Sequence, residues 1–298
     1  MEEFNKRLKC LVSDFSLKLD SSWFDRDLLS VFLYTIRPFV LLALIYPVSI
    51  FFQGFTLFAV SFLLILISQR FFMVLVHDTS HSFFSRKKKL SDFLGNYLIA
   101  GFIGMTIQSY REVHHKHHKF NGSELDPEFF SRSQLLSNGL FAYCMKYILG
   151  FRVLSLINKY YSNQFSRLAG QKHQSAVDLS LLHVSITQLM LLMFFIGVGL
   201  PWLYFVWLYI SVTFSPLLSR LRFICEHPDK YELTVTTKAP WWERFIFAPN
   251  NFNFHLEHHL WPSLPPYKLK DAHQYLLKKS LYSNNPSFLS DSFFKSLL

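Results

Sequence analysis

Long apolar stretches alternate with polar, histidine-rich stretches along the chain. Four of the apolar stretches reach the roughly 20 residues that an α-helix needs to cross a bilayer; they are Val31–Phe52, Phe55–Val76, Leu179–Leu200 and Trp202–Leu221. Each pair of stretches is separated only by a very short turn that contains glycine, Gln53-Gly54 in the first pair and Gly199-Leu200-Pro201 in the second. The pattern predicts two membrane-spanning helical hairpins.

The distribution of lysine and arginine predicts how these hairpins are oriented. Neither turn contains either residue, whereas both occur before the first span, between the pairs and after the last span. Because cytoplasmic loops are enriched in lysine and arginine, we expect an integral, multi-pass protein with both termini cytoplasmic, in a bacterial inner membrane or an ER-type membrane. Arg37 and Arg70 fall within spans near their cytoplasmic ends, from which their side chains are expected to snorkel.

The remaining segments complete the predicted organisation. Residues 1–30 carry apolar side chains at helical spacing with charged residues between them, which predicts an amphipathic helix on the membrane surface. Residues 31–276 form the membrane-bound domain, in which Leu94–Ile107 is too short to span and is expected to be re-entrant or interfacial. Residues 277–298 form a C-terminal tail, expected to pack loosely after Asn284.

Composition narrows the class of protein. The chain has 298 residues, of which 51% are hydrophobic and 18% aromatic, yet its mean hydropathy is only +0.21. These values fit a few spans that carry a substantial polar body. A net charge of +10 favours binding to anionic lipid at the cytoplasmic face of the membrane. No motif supports nucleic-acid binding. The three cysteines are far apart, which excludes a disulfide framework and an iron–sulfur site.

Nine of the thirteen histidines carry most of the functional information. Eight of them form three boxes: H-x-x-x-H beginning at His77, H-x-x-H-H beginning at His114, and H-x-x-H-H beginning at His255. The ninth is His227, preceded by Glu226. These spacings place the imidazoles of each box on one helix face, aimed at a common point.

Nine imidazoles exceed the four ligands of a structural zinc site. Two metal ions sharing the set is the simplest account. Imidazole suits iron, copper, nickel and zinc alike, and no thiolate is available to favour zinc or Cu(I). A redox-capable pair of irons beside a membrane is a plausible device for activating O₂.

The order of the boxes resembles that of the membrane-bound di-iron fatty acid desaturase and hydroxylase superfamily. The segment from Ala248 to Pro262 resembles the third box of acyl desaturases, and the segment from Arg111 to Pro127 resembles the second. The resemblance implies an all-α, four-helix, mushroom-like fold with a cytosolic helical cap that holds two irons (Fe²⁺/Fe³⁺), with O₂ as co-substrate. It implies as metal ligands His77, His81, His114, His117, His118, His227, His255, His258 and His259.

The leading interpretation is therefore an O₂-dependent acyl desaturase that acts on a lipid or an acyl thioester. No cytochrome b5 domain is recognisable, so electrons are expected from a separate ferredoxin-type or cytochrome b5-type protein and its reductase. A hydroxylase or ketolase acting on a carotenoid or alkane would use the same ligands, although the context of the third box favours desaturation. A histidine-rich metal transporter is a more remote alternative.

Several other polar residues are candidates for supporting roles. Asp78, Asp126, Glu226 and Glu257 would orient ring N–H groups of the ligands, the alternative being ordinary solvated carboxylates. Asn251 would share the helix face of His255 if that helix extends so far, and would then bind a water or the metal. The four other histidines are interpreted as ordinary polar residues: His115, His173, His183 and His273.

Overall fold

The computed structural model describes residues 2–123, 125–128, 139–152, 154, 182–227 and 234–297. These residues form helices joined by short turns, with one pair of two-residue strands among them. The predicted all-α class is confirmed. His173 lies outside the described residues.

The first half of the chain supplies two long apolar helices and the helices that pack on them. Its α-helices are α1 (Glu2–Asp14), α2 (Leu28–Ala43), α3 (Ile45–Phe51), α4 (Gly54–Ser80), α5 (Lys88–Leu98), α6 (Ile107–Phe120) and α7 (Leu140–Ile148), with 3₁₀ turns at Ser21–Phe24 and Ala100–Ile103.

The second half of the chain supplies the remaining helices and both strands. Its helices are α8 (Leu182–Gly197), α9 (Leu203–Val212), α10 (Phe214–Glu226), α11 (Trp241–Phe247), α12 (His255–Leu260), α13 (Leu269–Lys278), α14 (Leu281–Asn284) and α15 (Phe293–Leu297), with 3₁₀ turns at Pro266–Lys268 and Pro286–Phe288. Strand β1 (Thr236–Thr237) pairs in parallel with β2 (Leu289–Ser290).

Two helical stretches of the described chain are long and apolar enough to cross a membrane, Ser21–Phe51 and Gly54–Ser80. The first bends at Leu44, between α2 and α3, because Pro47 has no N–H to offer the carbonyl of Ala43. Gly54, with φ +57, makes the tight turn into α4. The first predicted pair of long apolar helices is therefore present.

The second predicted hairpin departs from the sequence expectation. Its first arm, α8, is a shorter apolar helix whose first described residue is Leu182. Its second arm is not one helix, because the chain breaks at Thr213 between α9 and α10. Pro216 has no N–H for the carbonyl of Val212, so a continuous ladder cannot pass this point. The predicted single helix over Trp202–Leu221 is wrong.

The segment Leu94–Ile107 contains no continuous helix. It comprises the end of α5, the 3₁₀ turn and a left-handed Gly104 that leads into α6. Within the turn, Gly101 approaches α8 so closely that an added Cβ would lie 2.3 Å from Oγ1 of Thr187. This contact fixes α8 against the turn that precedes α6, the helix that carries the second box.

Both ends of the chain pack against other helices, and this corrects two expectations. The predicted amphipathic helix α1 forms, but the apolar side chains that follow its first turns, including buried Leu11 and Leu17, pack among Leu256 and Leu276 instead of facing a membrane. The C-terminal segment is not loose, because Phe293 is completely buried against α10 and α11.

Arg70 is the third correction. Its side chain does not snorkel to the surface, since only 1% of the residue is exposed. Its guanidinium donates to the carbonyls of Ser215, Ile246 and Phe247 and to Oγ of Ser219. A buried arginine thereby joins α4 to α10 and to the end of α11, the elements that surround the histidines.

Candidate metal centre

Four helices bring all nine predicted ligand histidines together. Box one lies at the C-terminal end of α4, box two on α6 and box three on α12, while His227 directly follows α10. Seven of the nine are buried, and His81 and His118 are half-buried. The structure also describes His115, His183 and His273, and none of these three histidines belongs to the set.

The nine side chains form two compact groups, within each of which the ligand atoms lie within 4.8 Å of one another. Group 1 contains His77, His81, His114, His118 and His258, and group 2 contains His117, His227, His255 and His259. Boxes two and three each contribute to both groups. The expectation that each box aims at a common point is therefore wrong, because α6 and α12 run between two points.

Spacings between ring nitrogens within each group match those of shared metal coordination. Nε2 of His118 lies 3.0 Å from Nε2 of His258 in group 1. In group 2, Nε2 of His255 lies 2.9 Å from that of His227 and 3.2 Å from that of His259. Two nitrogens bound at right angles to one ion, each at about 2.1 Å, would be about 3.0 Å apart.

Burial favours the neutral form of five of these imidazoles, and neutral imidazole is the form that binds metals. Burial, reinforced by neighbouring histidines, lowers the pKa values of five ligand histidines well below 6.5: His118, His227, His255, His258 and His259. In group 1, Nε2 of His77 and Nε2 of His81 are buried without a hydrogen-bond partner. Such orphaned nitrogens fit a bound cation, so the residues present suit a metal at each group.

Asp126 is the best-defined support of the centre. Its two carboxylate oxygens lie 3.0 and 2.9 Å from Nδ1 of His117, and they also accept the backbone N–H groups of Gly122 and Glu128. The side chain is completely buried. A carboxylate held in this way fixes the tautomer of His117, so that Nε2 is left as the lone-pair nitrogen facing group 2.

Glu226 behaves differently from the predicted outer acceptor. Its Oε2 lies 3.6 Å from Nε2 of His255, the nitrogen that faces group 2, and 3.4 Å from Nε of Arg222. Neither carboxylate oxygen has a hydrogen-bond partner among the described residues. Burial raises the pKa of Glu226 to about 8, although the charges of Arg222 and Arg70 oppose this shift. The carboxyl group of Glu226 thus lies on the side of His255 that faces the other ligands of group 2.

Glu257 also departs from the prediction, because it faces away from both groups. It accepts Nδ1 of His273 at 2.6 Å and the hydroxyl of Tyr282, and its second oxygen accepts from Thr236. His273, interpreted from the sequence as an ordinary polar residue, belongs to neither group and is only 3% exposed. These contacts tie α12 to α13, α14 and β1, and thereby hold box three from behind.

The two remaining candidates have different outcomes. Oδ1 of Asp78 lies 3.1 Å from Nδ1 of His77, as expected of an outer acceptor. Asn251 lies outside α12, which begins at His255, and has a positive φ of 64°. Its amide donates to Tyr34 and Pro266, so the predicted shared helix face with His255 is wrong.

The sequence analysis missed the residue that joins boxes one and two. Arg111, on α6, is 7% exposed and pairs with Asp92 of α5. It also donates to the carbonyls of Ser80 and Thr79 at the end of α4. The signal available in the sequence was an arginine one helical turn before His114. That spacing places Arg111 on the face of α6 that meets α4.

Two of the other histidines lie outside both groups. His115 is exposed and stacks on His81 with ring centroids 5.2 Å apart. His183 is buried on α8, where Nε2 lies 3.1 Å from the carbonyl oxygen of Met105. Neither is placed to hold a metal with the nine.

Comparison with known proteins supplies the identity of this arrangement. The family model described as fatty acid desaturase matches residues 29–291, a range that includes all nine histidines. The chain belongs to the fatty acid desaturase family. A search of curated proteins gave no match. Membership makes the protein an oxidoreductase of the desaturase and hydroxylase type, associated with membranes.

A cavity of about 300 Å³ adjoins the centre of this desaturase-family protein. His77 and Phe252 line it beside group 1, and it continues between α4 and α10 past Met73, Val74 and Phe223. Charged and polar side chains occupy much of the rest of its wall, including those of Arg70, Glu128, Arg220 and Arg222. One ligand histidine thus faces a space in which another molecule can lie.

Proposed function

We propose that the protein is an O₂-dependent acyl desaturase with one iron at each histidine group. The observation that supports this most strongly is the separation of the nine histidines into a set of five and a set of four beside a cavity. Bound irons would supply activation of O₂ and removal of hydrogen from an unactivated methylene. External electrons complete the stoichiometry, in which O₂ is reduced to water as the acyl chain loses two hydrogens.

The protein's own residues bind, orient and exclude water. Asp126 holds the ring of His117, and Asp78 contacts that of His77. Glu226 adds a buried carboxyl group beside group 2, and a bound metal ion would favour its ionised form. With these contacts the ligand rings are already oriented before a metal binds, which favours a single coordination geometry.

The cavity beside His77 is proposed to hold the acyl chain. The apolar part of its wall, at Met73, Val74 and Phe252, suits methylene groups and would exclude water from the carbon that reacts. Since only His77 among the ligands lines the cavity, group 1 is expected to lie nearer the reacting carbon. Product type then depends on how the chain is positioned against that group.

The membrane arrangement remains a four-span proposal with both termini cytoplasmic. Besides the two long helices, α8 and α9 carry exposed apolar side chains, including Met193 at 57% and Phe205 at 71% exposure. Cysteine labelling from outside intact cells should modify Gln53→Cys and miss Glu112→Cys. The reverse pattern would refute the topology.

Electrons are proposed to come from a separate ferredoxin-type or cytochrome b5-type protein with its reductase. With purified components, turnover should require such a donor, and the protein supplied with reductase alone should be inactive. Activity with reductase alone would contradict this part of the proposal.

Analysis of lipids tests the reaction itself. A host supplied with redox partners should accumulate acyl species lighter than their precursors by two hydrogens when it expresses the wild-type protein. The matched His227→Ala variant should produce none. Products heavier by one oxygen would instead establish hydroxylation, and unchanged lipids in the presence of iron-loaded protein would refute acyl chemistry.

A further inference from the structure

A second, larger cavity lies away from the histidines. It has a volume of about 420 Å³ and lies between α2 and α11, with Phe71 of α4 at its base and the turn that precedes box three at its side. None of the nine ligand histidines lines it. The proposed reaction therefore does not account for this space.

Two arginines and three asparagines supply the polar side chains at this cavity. Arg37 and Arg244 lie on opposite helices of its wall. Neither forms an ion pair with a carboxylate among the described residues, and Nε of Arg244 is buried without a partner. Asn250 is 5% exposed; its Oδ1 accepts from Arg37 at 2.7 Å, while its Nδ2 has no partner.

These cationic and unpaired donor groups would bind an anion favourably. A buried N–H without an acceptor destabilises the folded protein, and guanidinium groups match the geometry of phosphate oxygens. Arg37 is held in position by its bond to Asn250 and by stacking on Tyr34, with its guanidinium carbon 4.0 Å from the ring centroid. The donors are thus partly oriented before any ligand binds.

The rest of the cavity wall is apolar. Ile36, Val40 and Leu41 of α2 face Phe245 of α11 across it. Val40 is 49% exposed, on a helix of spanning length. At the edge of the cavity, Trp241 is 72% exposed, as is common at the level of lipid head groups. A free phosphate would leave these walls uncovered, whereas a lipid would cover them with its chains.

We propose that this cavity binds one anionic phospholipid, with its phosphate between Arg37 and Arg244 and an acyl chain along α2. An anionic head group is favoured over a zwitterionic one because both cationic side chains would repel a choline. Binding needs no metal and no turnover, so it can fail while the proposed function holds, and the reverse.

Native mass spectrometry of the delipidated full-length protein tests the site. Titration with phosphatidylglycerol should give one tightly retained lipid, and titration with phosphatidylcholine of the same chains should give binding at least about tenfold weaker. Arg244→Gln should weaken phosphatidylglycerol binding about tenfold, the effect of losing one charged hydrogen-bonding group. Arg244→Lys, which keeps the charge, should lose less.

Two controls decide the interpretation. Arg86→Gln removes an exposed arginine elsewhere and should leave lipid binding unchanged, and glycerol phosphate should fail to displace the lipid at the same concentration. Equal binding of the two lipids, unchanged binding by folded Arg244→Gln, or displacement by glycerol phosphate would each overturn the proposal. If Arg244→Gln does not fold, the lipid comparison and the displacement experiment with wild-type protein still decide it.

Discussion

Replacing Asp126 by asparagine should selectively weaken metal binding at group 2. The carboxylate contacts Nδ1 of His117 with both oxygens, and each oxygen also accepts one backbone N–H, from Gly122 at 3.1 Å or from Glu128 at 2.9 Å. An asparagine keeps the size but replaces one acceptor oxygen with an NH₂ group. In either orientation of the amide, one backbone N–H would then face a donor.

The magnitude has two parts. Loss of the charged partner of a metal-binding histidine typically lowers metal affinity 10–100-fold, which corresponds to about 1.4–2.7 kcal/mol. The unpaired N–H costs the folded protein about 1–3 kcal/mol in addition. Because His117 belongs to group 2 alone, affinity at group 1 should change little.

Mössbauer spectroscopy of isotopically enriched iron separates the two effects. The five-histidine and four-histidine sites should give distinct signals in wild-type protein, and Asp126→Asn should lose the group 2 signal first as a chelator is added. Glu112→Gln is the matched control, since this exposed carboxylate lies on α6, the helix of His117, and pairs with Lys116 instead of a ligand histidine. Equal loss of both irons, or wild-type retention, would refute the assigned role of Asp126.

Three further outcomes are expected. Arg111→Met should destabilise the protein by about 3–5 kcal/mol, measured by thermal or chemical unfolding, because it leaves Asp92 buried and uncompensated; an effect below about 1 kcal/mol would contradict the burial argument. His273→Ala should lower stability and iron retention through Glu257, whereas exposed His115→Ala should change neither; equal effects in both variants would remove this role of His273. Burial lowers the pKa values of ligand histidines below 6.5, so below that pH the unfolded chain binds more protons than the folded protein does. Stability and bound iron should therefore be retained above about pH 6.5 and lost below it. Unchanged iron content at about pH 5, measured by elemental analysis, would contradict this prediction.

The histidine spacing predicted the set but not its division. An i, i+3, i+4 pattern places three rings on one helix face, which is a local property of α6 and α12. Which point each ring reaches depends on how the two helices cross. His114 and His118 therefore join group 1 while His117 joins group 2, and in box three His255 and His259 join group 2.

The carboxylates show the same limit. Asp126 was a sound candidate, but Glu257 lies two positions after His255, a spacing that places it on the opposite face of a helix. The spacing could have shown that it faces away from the metals. Its partners His273 and Tyr282 lie on other helices, so the contact itself depends on tertiary packing.

Composition predicted apolar stretches more reliably than it predicted continuous helices. Trp202–Leu221 is apolar throughout, yet Pro216 removes a hydrogen-bond donor and the helix divides at Thr213. The amphipathic pattern of α1 predicted a buried face without identifying the surface that buries it. Periodicity specifies which side of a helix is apolar, but the partner of that side comes from the whole fold.

The iron content of protein purified with full activity tests the central claim most directly. Two irons per chain are expected, one for each histidine group, and His227→Ala should fall towards one because it removes a ligand of group 2 alone. One metal per chain in fully active wild-type protein would contradict the two-site account. Wild-type iron content and turnover in His227→Ala would exclude that residue from the ligand set.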